Sequence, residues 1–342
     1  MFFAKRNTTP TINLALQGGG AHGAFTWGVL DYLLEDGRLR FEGLSGTSAG
    51  TMNAVAFAHG MMEGGNDGAR AALEKFWTAI ANSLPFEVMV PSLDGEKFVL
   101  SPSLKLMLSW THYFSPDQLN PYDLNPLRDV LIEQIDFKRL RKKSPVKLFI
   151  AATNANSGKL RVFRSPEISV DAVLASACLP MVHRTIEIDG EPYWDGGYAA
   201  NPAVFPLFYE CDAPDIMLVL LSPLKHKETP HTAKEINTRI MELAFRSTFL
   251  REMRVFAYLR GYVKQSFFQL GSFERRISRA NFHMIEAEDV IGELSAETKL
   301  GANMRFFEML KDLGRERAKA WLKEHYADVG NRSSVEVAKL FL

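Results

Sequence analysis

Apolar residues recur along this chain with two alternating periods. Thr11–Leu16 is a short apolar and β-branched run, and it predicts a buried strand. It leads through Gly18-Gly19-Gly20 into a helical pattern over residues 21–34. A second strand over residues 41–44 enters Gly46-Thr47-Ser48-Ala49-Gly50. Met52, Val55, Ala56 and Phe57 then continue at helical spacing to about Met62. Gly64-Gly65 and Asn66-Asp67-Gly68 break that helix, and Leu73, Phe76, Trp77 and Ile80 mark the next. Further strands are predicted over 146–153, 160–163, 216–221 and 282–285, with a small-residue helix over 170–178. A hairpin over 186–194 turns at Asp189-Gly190. Beyond about Thr232 the pattern is mainly helical, with a long helix over 305–325. Strands alternating with helices predict an α/β fold with a mostly parallel central sheet and helices on both faces.

The stretch 84–125 breaks this rhythm. Phe86, Val88, Met89, Val90, Phe98, Leu106, Met107, Leu108, Trp110, Tyr113 and Phe114 crowd it, with prolines between them. Long structured insertions of this kind cover either the core or a substrate. The expected organisation is a core domain over 1–230, with this apolar insertion, and a mainly helical C-terminal extension over 231–342 packed on it.

Composition narrows the partners. Lys plus Arg and Asp plus Glu both number 40, so the formal charge is zero and nothing suggests nucleic acid. The two cysteines, Cys178 and Cys211, sit in apolar surroundings and read as buried thiols. No apolar run approaches the ~20 residues that cross a bilayer. The start, Met-Phe-Phe-Ala-Lys-Arg, has no long apolar segment behind it. A cytoplasmic protein is therefore expected.

Three segments carry chemistry. Gly18, Gly19 and Gly20, with Gly23 after them, follow a strand and open a helix, where unshielded backbone N–H groups can face an anion. Two such donors make an oxyanion hole. The same glycines fit the dinucleotide fingerprint, but the second strand ends in Gly46-Thr47-Ser48 where a ribose-binding carboxylate belongs. The second segment, Gly46 to Gly50, is a Gly-x-Ser-x-Gly strand-to-helix turn that can present Ser48 as a nucleophile. In a parallel sheet the two loops end side by side. The third segment is Asp195-Gly196-Gly197, where a carboxylate on a tight turn can approach another loop closely. None of the eight histidines has a context that singles it out as a base.

Together these segments resemble the patatin-like phospholipases, over roughly residues 12–221. Ser295 to Leu300 and the long helix after it are similar to a bacterial branch of that family. The resemblance implies a three-layer α/β/α sandwich with Ser48 as nucleophile and Asp195 as its direct base. It also implies an oxyanion hole from the Gly18, Gly19 and Gly20 backbone, and an acyl-Ser48 intermediate, with no metal or organic cofactor. Gly23, Gly46, Gly50, Gly196 and Gly197 complete the motifs. The implied function is lipid acyl hydrolysis, of the phospholipase A, lysophospholipase or esterase type. The expected partners are a lipid or other ester substrate, the inner face of the membrane as a peripheral contact, and a second copy of the chain in a homodimer. His22 stands where many relatives carry Arg or Lys, which weakens the case for a phospholipid head group. Two rivals remain. One is a Ser-His-Asp carboxylesterase acting on non-phospholipid esters such as hydroxyalkanoate oligomers, with a histidine after Asp195. The other is a non-catalytic lipid-binding protein.

Overall fold

The computed structural model describes residues 9–83, 88–91, 98–111, 113–226, 228–265 and 271–342. Phe86, His112 and the other members of 84–87 and 92–97 within the apolar insertion lie outside the described residues, as does the start of the chain.

The chain opens with β1 (Thr11–Leu16), a 3₁₀ turn at Gly20–His22, α1 (Gly23–Asp36) and β2 (Arg40–Gly46). Next comes α2 (Ala49–Asn82), whose backbone leaves helical geometry at Gly64 and Gly65, where the glycine pair predicts a break. The insertion forms the hairpin of β3 (Met89–Pro91) and β4 (Phe98–Leu100), then α3 (Pro102–Trp110) and α4 (Pro116–Leu119). After α5 (Pro126–Gln134) and α6 (Phe137–Lys143) the sheet resumes with β5 (Lys147–Asn154) and β6 (Leu160–Arg164). Then follow α7 (Val170–Ser176), the hairpin of β7 (Ile186–Ile188) and β8 (Glu191–Asp195), α8 (Phe205–Glu210) and β9 (Asp215–Val219). Positive φ at both Asp189 and Gly190 closes that hairpin, matching the Asp-Gly signal.

The remaining residues add α9 (Ala233–Gln265), α10 (Ser272–Arg279), β10 (Asn281–Ile285), α11 (Glu288–Ile291), α12 (Met304–His325) and α13 (Val337–Phe341). No described helix is long and apolar enough to cross a membrane. Cys178 and Cys211 are free and buried, as their surroundings predict.

The main sheet runs β10-β9-β1-β2-β5-β8-β7, with β6 also paired to β5. Neighbours from β10 to β5 are parallel; β6, β7 and β8 join antiparallel. Period-two alternation divides the core between the two faces of the sheet. Leu14, Leu16, Met217 and Val219 pack with α1, α2, α7 and α12 on one face. Ala15, Ile216 and Leu218 pack with α8, α9, α10 and α13 on the other. The result is an α/β/α sandwich, and residues beyond 231 contribute a strand and helices to both layers.

One register fact positions the site. β5 pairs with β6 through Phe149, Ile150, Ala151, Ala152 and Thr153. It pairs with β2 up to Gly46↔Ile150, and with β8 from Ala152↔Asp195. A strand has two edges, so with β6 on one of them β2 and β8 share the other, end to end. Asp195 therefore lies just past the end of β2, where the chain turns at Ser48.

Candidate active site

The turn after β2 is tight because its glycines leave no alternative. A Cβ on Gly50 would stand 2.1 Å from the Leu16 carbonyl oxygen, and one on Gly46 would stand 2.7 Å from the Gly50 backbone. Ser48 itself takes φ 54° and ψ −121°, a conformation that costs a non-glycine residue about 1–3 kcal/mol. The surroundings hold it there. Ser48 N–H donates to Ser176 Oγ at 3.0 Å, that hydroxyl meets Thr51 Oγ1 at 2.7 Å, and Thr47 Oγ1 donates to the Ala200 carbonyl at 2.8 Å. Ser48 thus stands at the N-terminus of α2.

Asp195 ends β8 fully buried. Its Oδ1 accepts the Gly197 N–H at 2.7 Å, its N–H donates to the Cys178 carbonyl at 2.8 Å, and its carbonyl accepts Thr153 Oγ1 at 2.8 Å. Among the described residues Oδ2 has no hydrogen-bond partner. Burial pushes the carboxyl from 3.8 up to about 7, an effect opposed by the Gly197 N–H and by the nearby Ser48 hydroxyl. That hydroxyl is close enough to favour the charged carboxylate, although no regular hydrogen bond joins the two side chains. Tyr193 packs on Phe163, and Trp194 Nε1 donates to Thr185 Oγ1, so neither aromatic is committed to the carboxylate. Phe245 of α9 lies against Gly197 instead, and Tyr198 packs on Phe245.

The glycine loop abuts the serine turn. A Cβ on Gly18 would stand 2.8 Å from the Ser48 Cβ. The three amides are not equivalent. Gly18 N–H donates to Asn201 Oδ1 at 2.7 Å and is occupied. Among the described residues, Gly19 and Gly20 N–H have no hydrogen-bond partner. Gly20 has φ +57°, and its missing Cβ leaves room for the Lys299 carbonyl, which would otherwise lie 2.1 Å away. Asn201 also receives Gln17 Nε2 on its carbonyl at 3.3 Å, and Gln17 Oε1 accepts Leu221 N–H at 2.5 Å.

His22 is buried, with Nε2 at 2.7 Å from Thr298 Oγ1 and with Nδ1 unpartnered among the described residues. Burial first, then the Lys299 charge, lowers it from 6.5 to about 3. It is neutral near pH 7 and brings no positive charge to the loop; it ties the loop to the turn at Ala296–Leu300.

A pocket of about 670 Å³ opens on this arrangement. Gly20, Ser48, Ala49 and Met52 form its base, and Phe76, Trp77, Leu108, Trp110, Leu127 and Phe307 supply apolar wall. The insertion has a double role: Val88, Met89, Leu100 and Leu104 are core, whereas Met107, Leu108, Trp110 and Leu119 line the pocket. No described histidine bonds Ser48 or Asp195. His283 sits in the sheet between Asp215 and Ser334, His226 meets Glu242, and His325 meets Asp328. His183 does line the pocket, with Nδ1 accepting the Leu179 N–H at 3.2 Å, and burial lowers its pKa.

The sequence brings Ser48, Asp195 and the glycines together through turn signals. It gives no warning that Ser176, Asn201, Thr298 and Lys299 reach the glycine loop and the serine turn, through contacts that span 125 or more positions.

Residues 14–208, more than half of the chain, match the family model for patatin-like phospholipases. The chain belongs to that family. As a patatin-like protein it has general hydrolase character directed at lipids or related esters. The crystal structure of VipD from Legionella pneumophila is similar to it at 15% identity, over 93% of this chain and 67% of that one, with a TM-score of 0.44. No curated protein sequence matches this patatin-like chain.

Proposed function

We propose that the chain is a serine-dependent lipid acyl hydrolase working through Ser48 and Asp195. The observation that carries this reading is the placement of Asp195, buried and with one free oxygen, just past the end of the strand that presents Ser48. A hydroxyl is a poor nucleophile without a base in reach. An aspartate at its ordinary pKa is a poor base; one raised to about 7 is matched to the task near neutral pH.

In this mechanism Ser48 Oγ attacks the ester carbonyl carbon as its proton passes to Asp195 Oδ2. The carbonyl π electrons move to oxygen, which is met by the Gly19 and Gly20 N–H groups and the N-terminus of α2. Collapse breaks the bond to the alcohol, which leaves with the proton from Asp195. Water then attacks acyl-Ser48, giving a proton to Asp195. That proton returns to Ser48 as the fatty acid departs. Gly18 has a positioning role, since its N–H holds Asn201. The apolar pocket receives the acyl chain.

A fluorophosphonate probe tests the nucleophile. Ser48→Ala is expected to abolish both labelling and hydrolysis of an ester panel of graded chain length. Turnover retained near the wild-type rate would overturn the assignment. Folded, unlabelled wild-type protein with no turnover would favour a binding role.

A further inference from the structure

Resting on the reading that Asp195 is the base, we propose that Phe245 of α9 is a positioning residue for it, whose ring seals the Asp195-Gly197 turn against water. Gly197 locates the contact. A Cβ there would collide with the Phe245 ring and stand 3.0 Å from Asp195 Oδ1, so ring and carboxylate meet over one glycine. Tyr198 completes the cover, with its ring centroid 4.5 Å from that of Phe245. Phe245 is half-buried and is not part of the pocket wall, so it acts on the base and not on the acyl chain.

The periodicity of α9 explains why this ring is there. Phe245, Phe249, Glu252 and Phe256 recur at the spacing of one helix face. Phe249 is fully buried and packs on Phe341, and Phe256 packs on Phe208 and Phe282. The Glu252 carboxylate accepts the Val204 and Phe205 N–H groups, a few residues beyond Asn201, which holds Gly18. The face that carries Phe245 is therefore fixed to the segment running from Asp195 back to the glycine loop. All of α9 lies beyond residues 14–208, so the C-terminal region supplies this contact to a site built by the core.

The ring acts through solvation. Near pH 7 the other titratable groups around the carboxylate carry no charge: burial pushes the Cys178 thiol up to about 12 and raises Tyr198. On α9, Glu242 and Arg246 stand close to Phe245 in the chain, but Glu242 faces His226 and Arg239, and Arg246 donates to the Pro223 carbonyl. The Gly197 N–H and the Ser48 hydroxyl both favour the ionised form. Burial is therefore what holds the Asp195 carboxyl up at about 7, and Phe245 is the apolar group set against Oδ1.

Phe245→Ala opens the turn to water. The pH at which kcat/KM for a short soluble ester reaches half its plateau should fall by about one unit or more, and the plateau should drop as the base weakens. Phe245→Gln, which puts an amide in place of the ring, should move that midpoint the same way, whereas Phe245→Leu should keep it within about half a unit. Carbon-13 NMR titration of the aspartate carboxyls reads the same shift without turnover, with the Asp195 signal identified by its loss in Asp195→Asn. An NMR midpoint unmoved in the Ala and Gln variants would overturn the proposal, even beside a lower kcat or urea midpoint, which packing alone would give. An NMR midpoint that falls while the rate profile stays put would instead overturn the reading of Asp195 as base, so the two failures are distinct.

Discussion

At the scale of single residues, Asp195 carries an opposition between stability and chemistry. Burial raises its pKa from 3.8 to about 7, so over that window the folded protein keeps a proton that the unfolded chain has released. Stability therefore falls as pH rises from about 4 to about 7, and above that the full cost is present. Asp195→Asn removes the titration. We expect the variant to match the wild type in urea denaturation near pH 4 and to exceed it by on the order of 2–4 kcal/mol near pH 8. The same substitution should cost at least about 10³ in kcat/KM, because the amide cannot take the Ser48 proton. Wild-type kcat/KM should rise with pH to a plateau above about 7. A stability difference that ignored pH would show that the carboxyl is not the buried titrating group. Ser48 and Asp195 are legible in the sequence because glycine-rich turns announce themselves. The charge of the loop is not: His22 reads as a partly protonated side chain, and its burial against Phe306 and Thr298, with the Lys299 charge nearby, makes it neutral.

At the scale of elements, the sandwich was readable where periodicity is local. The apolar run of β1, the paired glycines inside α2 and the Asp-Gly hairpin before Asp195 all belong to short windows. The crossing of α1 and α12 belongs to none. Gly28 and Gly314 allow the two helices to meet backbone to backbone: a Cβ on Gly28 would lie 1.9 Å from the Lys311 carbonyl, and one on Gly314 would lie 2.1 Å from the Phe25 carbonyl. In either sequence window such a glycine reads as a weak point in a helix. Here it fixes α12 over the helix that follows the glycine loop. Gly314→Ala would raise the helix propensity of α12 by about 1 kcal/mol. It should nevertheless destabilise the protein by about 1–3 kcal/mol, because the backbones must part. A lowered urea midpoint with unchanged slope would bear this out; a raised midpoint would mean that the crossing yields without cost.

At the scale of the whole molecule, the proposed lipid hydrolysis requires the pocket mouth to meet a substrate that is not dispersed in water. Close in the chain to the lining residues Met107, Trp110, Thr111 and Asp123, the side chains of Leu106, Tyr113, Phe114 and Tyr122 stand exposed, Tyr113 and Tyr122 by more than four-fifths, although none of the four lines the pocket. The basic run in α6 has a local explanation instead: Arg141, Lys142 and Lys143 occupy the last turn, where the helix dipole favours cations, and Arg139 pairs with Glu63. An apolar rim and a cationic patch make opposite demands on salt, since only the second is screened. We therefore propose that contact with a lipid surface runs through the rim. Leu106→Ser, Tyr113→Ser and Phe114→Ser together should weaken sedimentation with uncharged phosphatidylcholine vesicles at least tenfold, since each such side chain contributes about 1.5–3 kcal/mol when fully buried and this contact buries part of each. Raising salt from 0.1 to about 1 M should leave wild-type binding intact, because the Debye length falls from about 10 to about 3 Å without touching apolar contact. Hydrolysis of a short soluble ester should change by less than about twofold in the triple variant, because those side chains lie off the pocket wall. Salt-sensitive binding that survives the triple substitution would instead assign the contact to charge.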